Sequence, residues 1–83
     1  MTPQEMRAMR EWAELMIKSA REVVADPKLK AELLINFPTD VVEEFETIAD
    51  LDPSALSDLQ LWRVIQVGSP VYLGTLERFG LTE

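Results

Sequence analysis

Any catalysis in this chain would have to be done by carboxylates, hydroxyls and a few amines. There is no histidine and no cysteine among its 83 residues, so the commonest general base, the usual transition-metal ligands and the thiol nucleophile are missing together. The remaining candidates are Lys18, Lys28, Lys30, Tyr72 and the acidic residues. Glu46 and Asp50 stand four apart, the spacing that places two side chains on one helix face, where they could act as an acid/base pair or share a cation. Such a pair needs burial or a neighbouring charge to shift its pKa values apart, and nothing in the sequence buries them. A solvated acidic face is the simpler expectation.

Asp50-x-Asp52-x-Ser54 resembles the opening of a calcium-binding loop and then departs from it. Pro53 interrupts the run, Ala55 stands where the loop needs glycine, and Leu61 stands where it needs a bidentate glutamate. A helix-cap role for Asp52 before Pro53 explains the same residues more simply. The three glycines, Gly68, Gly74 and Gly80, form no phosphate-cradling loop. The expectation is therefore a protein that is not an enzyme, with no catalytic residue, no cofactor and no metal site.

Charge is the most informative surface property. The net charge is −7, and it is unevenly distributed. Residues 1–30 hold six basic side chains and five acidic ones, whereas residues 31–62 hold eight acidic residues and no basic one. The block Asp40, Glu43, Glu44, Glu46, Asp50 and Asp52 is the candidate partner-binding face. Such a surface repels phosphate, so direct nucleic-acid binding is not expected. It would attract a basic protein, and one reading makes the chain an acidic inhibitor or nucleic-acid mimic, of the phage-encoded anti-defence type, that blocks a basic nucleic-acid-binding protein. In the plainer reading these carboxylates only keep the protein soluble.

The elements that position these residues are read as helices. Thr2-Pro3-Gln4-Glu5 spells a capping box with proline at the first helical position. The next punctuation is Asp26-Pro27, and the residue before a proline is pushed out of the helical region. The interval predicts a helix of about 35 Å, at 1.5 Å per residue, ending near Val24 or Ala25. Met6, Met9, Ala13, Met16, Ala20 and Val23 form an apolar seam along it at alternating steps of three and four. Trp12, Leu15, Ile17 and Val24 widen the seam, and opposite charges four apart (Arg7/Glu11, Arg10/Glu14, Glu14/Lys18, Lys18/Glu22) occupy the rest. The seam is read first as the floor of an intramolecular core. A homodimer along Met6, Met9, Trp12 and Met16 is the alternative.

A second helix is expected from Pro27 to about Ile35, with Asn36 in the left-handed position and Phe37-Pro38 as the stop. A third opens at Thr39 or Asp40, with Asp40-x-x-Glu43 as its cap. Asp52-Pro53 and Ser57-x-x-Gln60 are two start signals for a fourth, either one helix over 53–67 or a short turn followed by a helix from Asp58. Gly68 should end it, and Ser69-Pro70 should cap a fifth helix carrying Leu73, Leu76 and Phe79, with Gly80 and Leu81 closing it. Gly68-Ser69 would then join two helices in an arrangement similar to a helix-turn-helix, although only Arg78 of the last helix could meet a phosphate.

The fold expected is all-α, a single helical domain over 1–83: a small bundle of about five helices with a long amphipathic N-terminal helix. Its core should draw on Met9, Trp12, Met16, Leu33, Leu34, Phe37, Phe45, Ile48, Leu59, Trp62, Ile65, Leu73, Leu76 and Phe79. Nothing approaches the 18 or so apolar residues of a membrane span, and the charged opening of helix one is unlike a signal peptide. A cytoplasmic protein is expected. By exclusion, the function expected is that of a non-enzymatic protein–protein interaction module, a small acidic helical protein presenting a preformed surface to a macromolecular partner.

Overall fold

The long first helix is where the sequence places it. In the computed structural model, which describes residues 2–74, α1 spans Pro3–Ala25. Its cap is the expected threonine: the Glu5 N–H donates to Thr2 Oγ1 at 3.2 Å, and the hydroxyl donates in turn to Glu5 Oε1 at 3.1 Å. Asp26 breaks the helix in extended conformation and caps the next one, accepting from the Lys28 N–H at 2.9 Å.

That next helix, α2, is Pro27–Asn36. Asn36 is helical and does not take the left-handed position expected of it. Its amide donates to the Glu32 carbonyl at 2.9 Å, and an extended Phe37 makes the exit. The third helix, α3, is Thr39–Thr47. Its N-cap is Pro38, which has no side chain to offer. Asp40 sits inside the first turn, taking the N–H of Val41 at 3.0 Å, so it is not the box cap its spacing suggested.

Two short 3₁₀ turns follow, Ile48–Asp50 and Pro53–Ala55. Ser57 and Gln60 then complete a reciprocal capping box: the Ser57 N–H donates to Gln60 Oε1 at 2.8 Å, and the Gln60 N–H to Ser57 Oγ at 3.3 Å. Of the two starts the sequence allowed, the structure takes the turn followed by a helix from Asp58.

The last described helix, α4, runs unbroken over Asp58–Gly74 with Pro70 inside it. Among the described residues there are thus four α-helices and no strand. The fold is all-α, and the boundary expected at Gly68 does not exist. The reason is tertiary. A Cβ on Gly68 would lie 2.8 Å from both Cβ and Cγ of Met16, so this glycine is needed for a close approach of α4 to α1. Ser69 is held by α1 as well, its Oγ accepting from Trp12 Nε1 at 2.8 Å. Tyr72 packs edge-on to the Trp12 ring, with centroids 5.5 Å apart at 84°. These contacts hold the helix through a proline that removes a backbone donor. The helix-turn-helix likeness disappears with the break, while Leu76, Phe79, Gly80 and Leu81 lie outside the described residues.

The core gathers around the inner face of α1. Ala13, Met16, Ile17, Ala20 and Val23 are buried against Leu33, Val42, Phe45, Leu61, Val64 and Val71 from the other helices. From Ala13 onward the seam is the core floor. Met9, Trp12, Phe37 and Ile65 are half-buried at its margin. Four residues expected inside are exposed instead: Leu34, Leu59, Trp62 and Leu73. Val24, which was to widen the seam, is exposed too.

Candidate interaction surface

Leu59 and Trp62 are the large apolar side chains whose exposure is least expected. They lie three residues apart on the first turns of α4, so one sits above the other and together they form a ridge. Leu59 is 79% exposed and Trp62 49%. On the α1 side of the ridge is a groove of about 430 Å³ lined by Met6, Met9, Asp58, Leu59 and Trp62. On the other side is one of about 350 Å³ lined by Leu59, Gln60, Trp62, Arg63 and Gln66. Exposed apolar surface of this kind, rimmed by polar groups, marks interaction sites in folded proteins.

The four residues of the expected dimer seam are divided by the fold. Met16 is fully buried beneath Gly68, and Trp12 is engaged by Ser69 and Tyr72 within the chain. Met6 and Met9 are half-buried and face the ridge groove. Only this upper end of the seam is left open, and it is continuous with α4 rather than confined to α1.

The acidic block is placed on α3 and the two 3₁₀ turns. Asp40, Glu43, Glu44, Asp50 and Asp52 are exposed and Glu46 is half-buried. The sequence put no base inside the block, but the fold returns bases from its two ends. Lys30 Nζ lies 3.3 Å from Glu46 Oε1, and Arg63 pairs with Glu44. Arg21, from α1, donates to the carbonyls of Ala49 and Leu51, each at 2.9 Å. Arg10 does the same to Pro53 at 2.7 Å. Among the described residues the ion pairs are those of Glu46 and Glu44, and none of the four pairs expected along α1 forms. Two arginines of α1 fasten the turns instead.

Glu46 and Asp50 do not make a catalytic pair in this arrangement. Glu46 is committed to Lys30, and Asp50 lies beyond the end of α3 in a 3₁₀ turn. The carboxylate of Asp52 accepts from both the backbone and the hydroxyl of Ser54, at 3.1 and 2.8 Å. Those bonds, hydroxyl first, and then the Arg21 charge hold its pKa below the ordinary aspartate value. It caps the 3₁₀ turn Pro53–Ala55. Among the described residues no three acidic, histidine or cysteine side chains are placed to hold a metal ion, and no helix is long and apolar enough to cross a membrane.

A third groove, of about 310 Å³, lies where α3 and the turns meet α4, bordered by Glu44, Ile48, Leu56, Gln60, Arg63 and Val67. The Arg63–Glu44 pair spans its lining, so the groove is bounded by a self-satisfied charge pair. No protein-family model, curated protein or solved structure matches the chain. The functional reading rests on the surface.

Proposed function

We propose that this chain is a non-enzymatic protein–protein interaction module, a small acidic helical bundle that presents a preformed surface to a macromolecular partner. The observation that supports it best is the Leu59–Trp62 ridge, an apolar crest left on the surface of a protein whose core is filled without it. Aromatic anchors set among smaller apolar neighbours dominate the energetics of protein interfaces. The ridge is also fixed in place before binding, because the Ser57–Gln60 box sets the first turn of α4 and little conformational entropy is left to lose. The partner is a protein, since a chain of charge −7 repels nucleic acid.

The exposed carboxylates Asp40, Glu43, Asp50 and Asp52, none of them ion-paired among the described residues, support a second reading as an acidic inhibitor of a basic nucleic-acid-binding protein. The two surfaces are separable by mutation. On the first reading Leu59→Glu or Trp62→Glu abolishes binding to a captured partner while the triple change Glu43→Gln, Glu44→Gln, Glu46→Gln leaves it. On the second reading the outcomes are reversed.

A further inference from the structure

We infer that α4 carries a hinge at Gly68–Pro70 with Trp12 as its latch. The residues from Pro70 onward exchange between the continuous helix and a second state in which Ser69 caps a helix that begins at Pro70. The hinge lies beyond the Leu59–Trp62 ridge and does not depend on the ridge being a docking surface.

The argument begins at the backbone. Pro70 has no N–H, so the Gln66 carbonyl lacks the donor that a helix supplies from four residues on, and the pyrrolidine ring crowds that same carbonyl. Gly68, two residues earlier, is the poorest helix former after proline. The same three residues suit a break. Glycine is the preferred residue for closing a helix in the left-handed conformation, serine is a preferred N-cap, and proline is a preferred first residue. The N–H that the serine hydroxyl would then take is that of Val71 or Tyr72.

Tertiary contacts at one place hold the helix continuous. Ser69 Oγ, the atom that would cap, accepts instead from Trp12 Nε1 at 2.8 Å. Tyr72 packs edge-on to the same indole, and Met16 lies over Gly68. Val71 is fully buried and Tyr72 nearly so, whereas Leu73 is exposed. Val71, Tyr72 and the Trp12 bond therefore anchor the described residues beyond the hinge, and Phe37 lies against Gly74. Trp12 is itself only half-buried, so the latch sits at the margin of the core, where another group can reach it.

Opening withdraws Val71 and Tyr72 from the core and bares the Trp12 ring. That is an apolar surface which the closed protein does not present. A ligand that binds it only in the open state shifts the equilibrium by its differential affinity for the two states.

NMR relaxation dispersion on the full chain tests the inference, because it reads exchange with a minor state on the microsecond-to-millisecond scale. The Val71 methyls and the Trp12 Nε1–H should report one common minor population. The methyls of Leu61 and Val64, buried on α4 ahead of the hinge, should report none. Three substitutions separate a hinge from fraying of the helix end. Trp12→Phe removes the latch bond and keeps an aromatic ring beside Tyr72, and should raise the minor population at Val71 about fivefold, the worth of one net hydrogen bond. Ser69→Ala removes the same bond and also the cap of the open state, so its population should stay within about twofold of wild type. Pro70→Ala favours the continuous helix and should lower the population about tenfold. A frayed end has no cap to lose, so an equal rise in Ser69→Ala and Trp12→Phe overturns the inference. Absence of exchange at Val71 in both the wild type and Trp12→Phe overturns it as well.

Discussion

At the scale of single residues, polar side chains in this protein work mostly on backbone. Thr2, Asp26, Asp52 and Ser57 each accept an N–H at the start of a helix or turn, and Arg10 and Arg21 donate to the carbonyls left over between α3 and α4. Asp52 makes the consequence measurable. Its lowered pKa arises first from the Ser54 hydroxyl, so Ser54→Ala should raise it toward the ordinary aspartate value in an NMR titration of the side-chain carboxyl. The sign for stability follows from linkage. A carboxyl whose folded pKa is depressed contributes stability that is present above the unfolded pKa and is lost as pH falls through the folded one. In Ser54→Ala that acid-side loss should shrink. The caps were legible in the sequence because each depends on residues within three positions, and the misassigned ones show the limit. Asp40 has the spacing of a cap, but the chain reaches α3 through Pro38, which fixes the helix start two residues earlier.

Among the elements, α4 is the one the sequence misrepresents. Gly68, Ser69 and Pro70 are local signals for a break, and locally they are read correctly. They are overruled by contacts from two residues more than fifty positions away: Met16 fills the space over Gly68, and Trp12 holds Ser69. Two substitutions follow. If Pro70 lies inside a helix, Pro70→Ala restores a backbone donor and removes a steric conflict. It should stabilise the protein by about 1–2 kcal/mol, the interior proline penalty of roughly 3 kcal/mol less relaxation and unfolded-state entropy, read as a higher midpoint in urea. At the start of a separate helix the same change would be neutral or unfavourable. Gly68→Ala should destabilise by about 1–3 kcal/mol despite alanine's better helix propensity, because the added methyl meets the inner carbons of Met16 rather than a free chain end. The second failure on α4 has a different cause. Leu59, Leu61, Trp62, Val64, Ile65 and Val67 make it apolar nearly all round, so periodicity could not tell the buried Leu61 and Val64 from the exposed Leu59 and Trp62. Two residues expected in the core, Leu59 and Trp62, are thereby found on the surface, where they form the proposed docking ridge.

Over the whole molecule, the segregation of charge along the sequence is partly undone in space. Lys30 and Arg63 flank the acidic block in the chain and fold back onto Glu46 and Glu44, and Arg21 crosses from α1 to the turns between. The all-α class, the long first helix and the acidic middle were legible in the sequence because they follow from cap spacing and composition, whereas the expected fifth helix was not found among the described residues, α4 running on through Gly68 and Pro70. The proposed docking surface was not legible, because it is made where the open end of the α1 seam meets the outward face of α4. A bundle of this size has a small core, and covering the ridge adds apolar burial that the isolated chain lacks. On the proposed function, recognition rests on apolar contact at the ridge, and the carboxylates have the lesser part of solubility. The most direct test is capture of the protein's partner at low and at high salt by the wild type, by Trp62→Glu and by the Glu43→Gln, Glu44→Gln, Glu46→Gln protein. Exposed charge is screened by salt, whereas apolar burial is not. The account predicts binding that persists at high salt, survives the triple change and is lost with Trp62→Glu; binding that vanishes at high salt, fails in the triple change and is untouched by Trp62→Glu would contradict it.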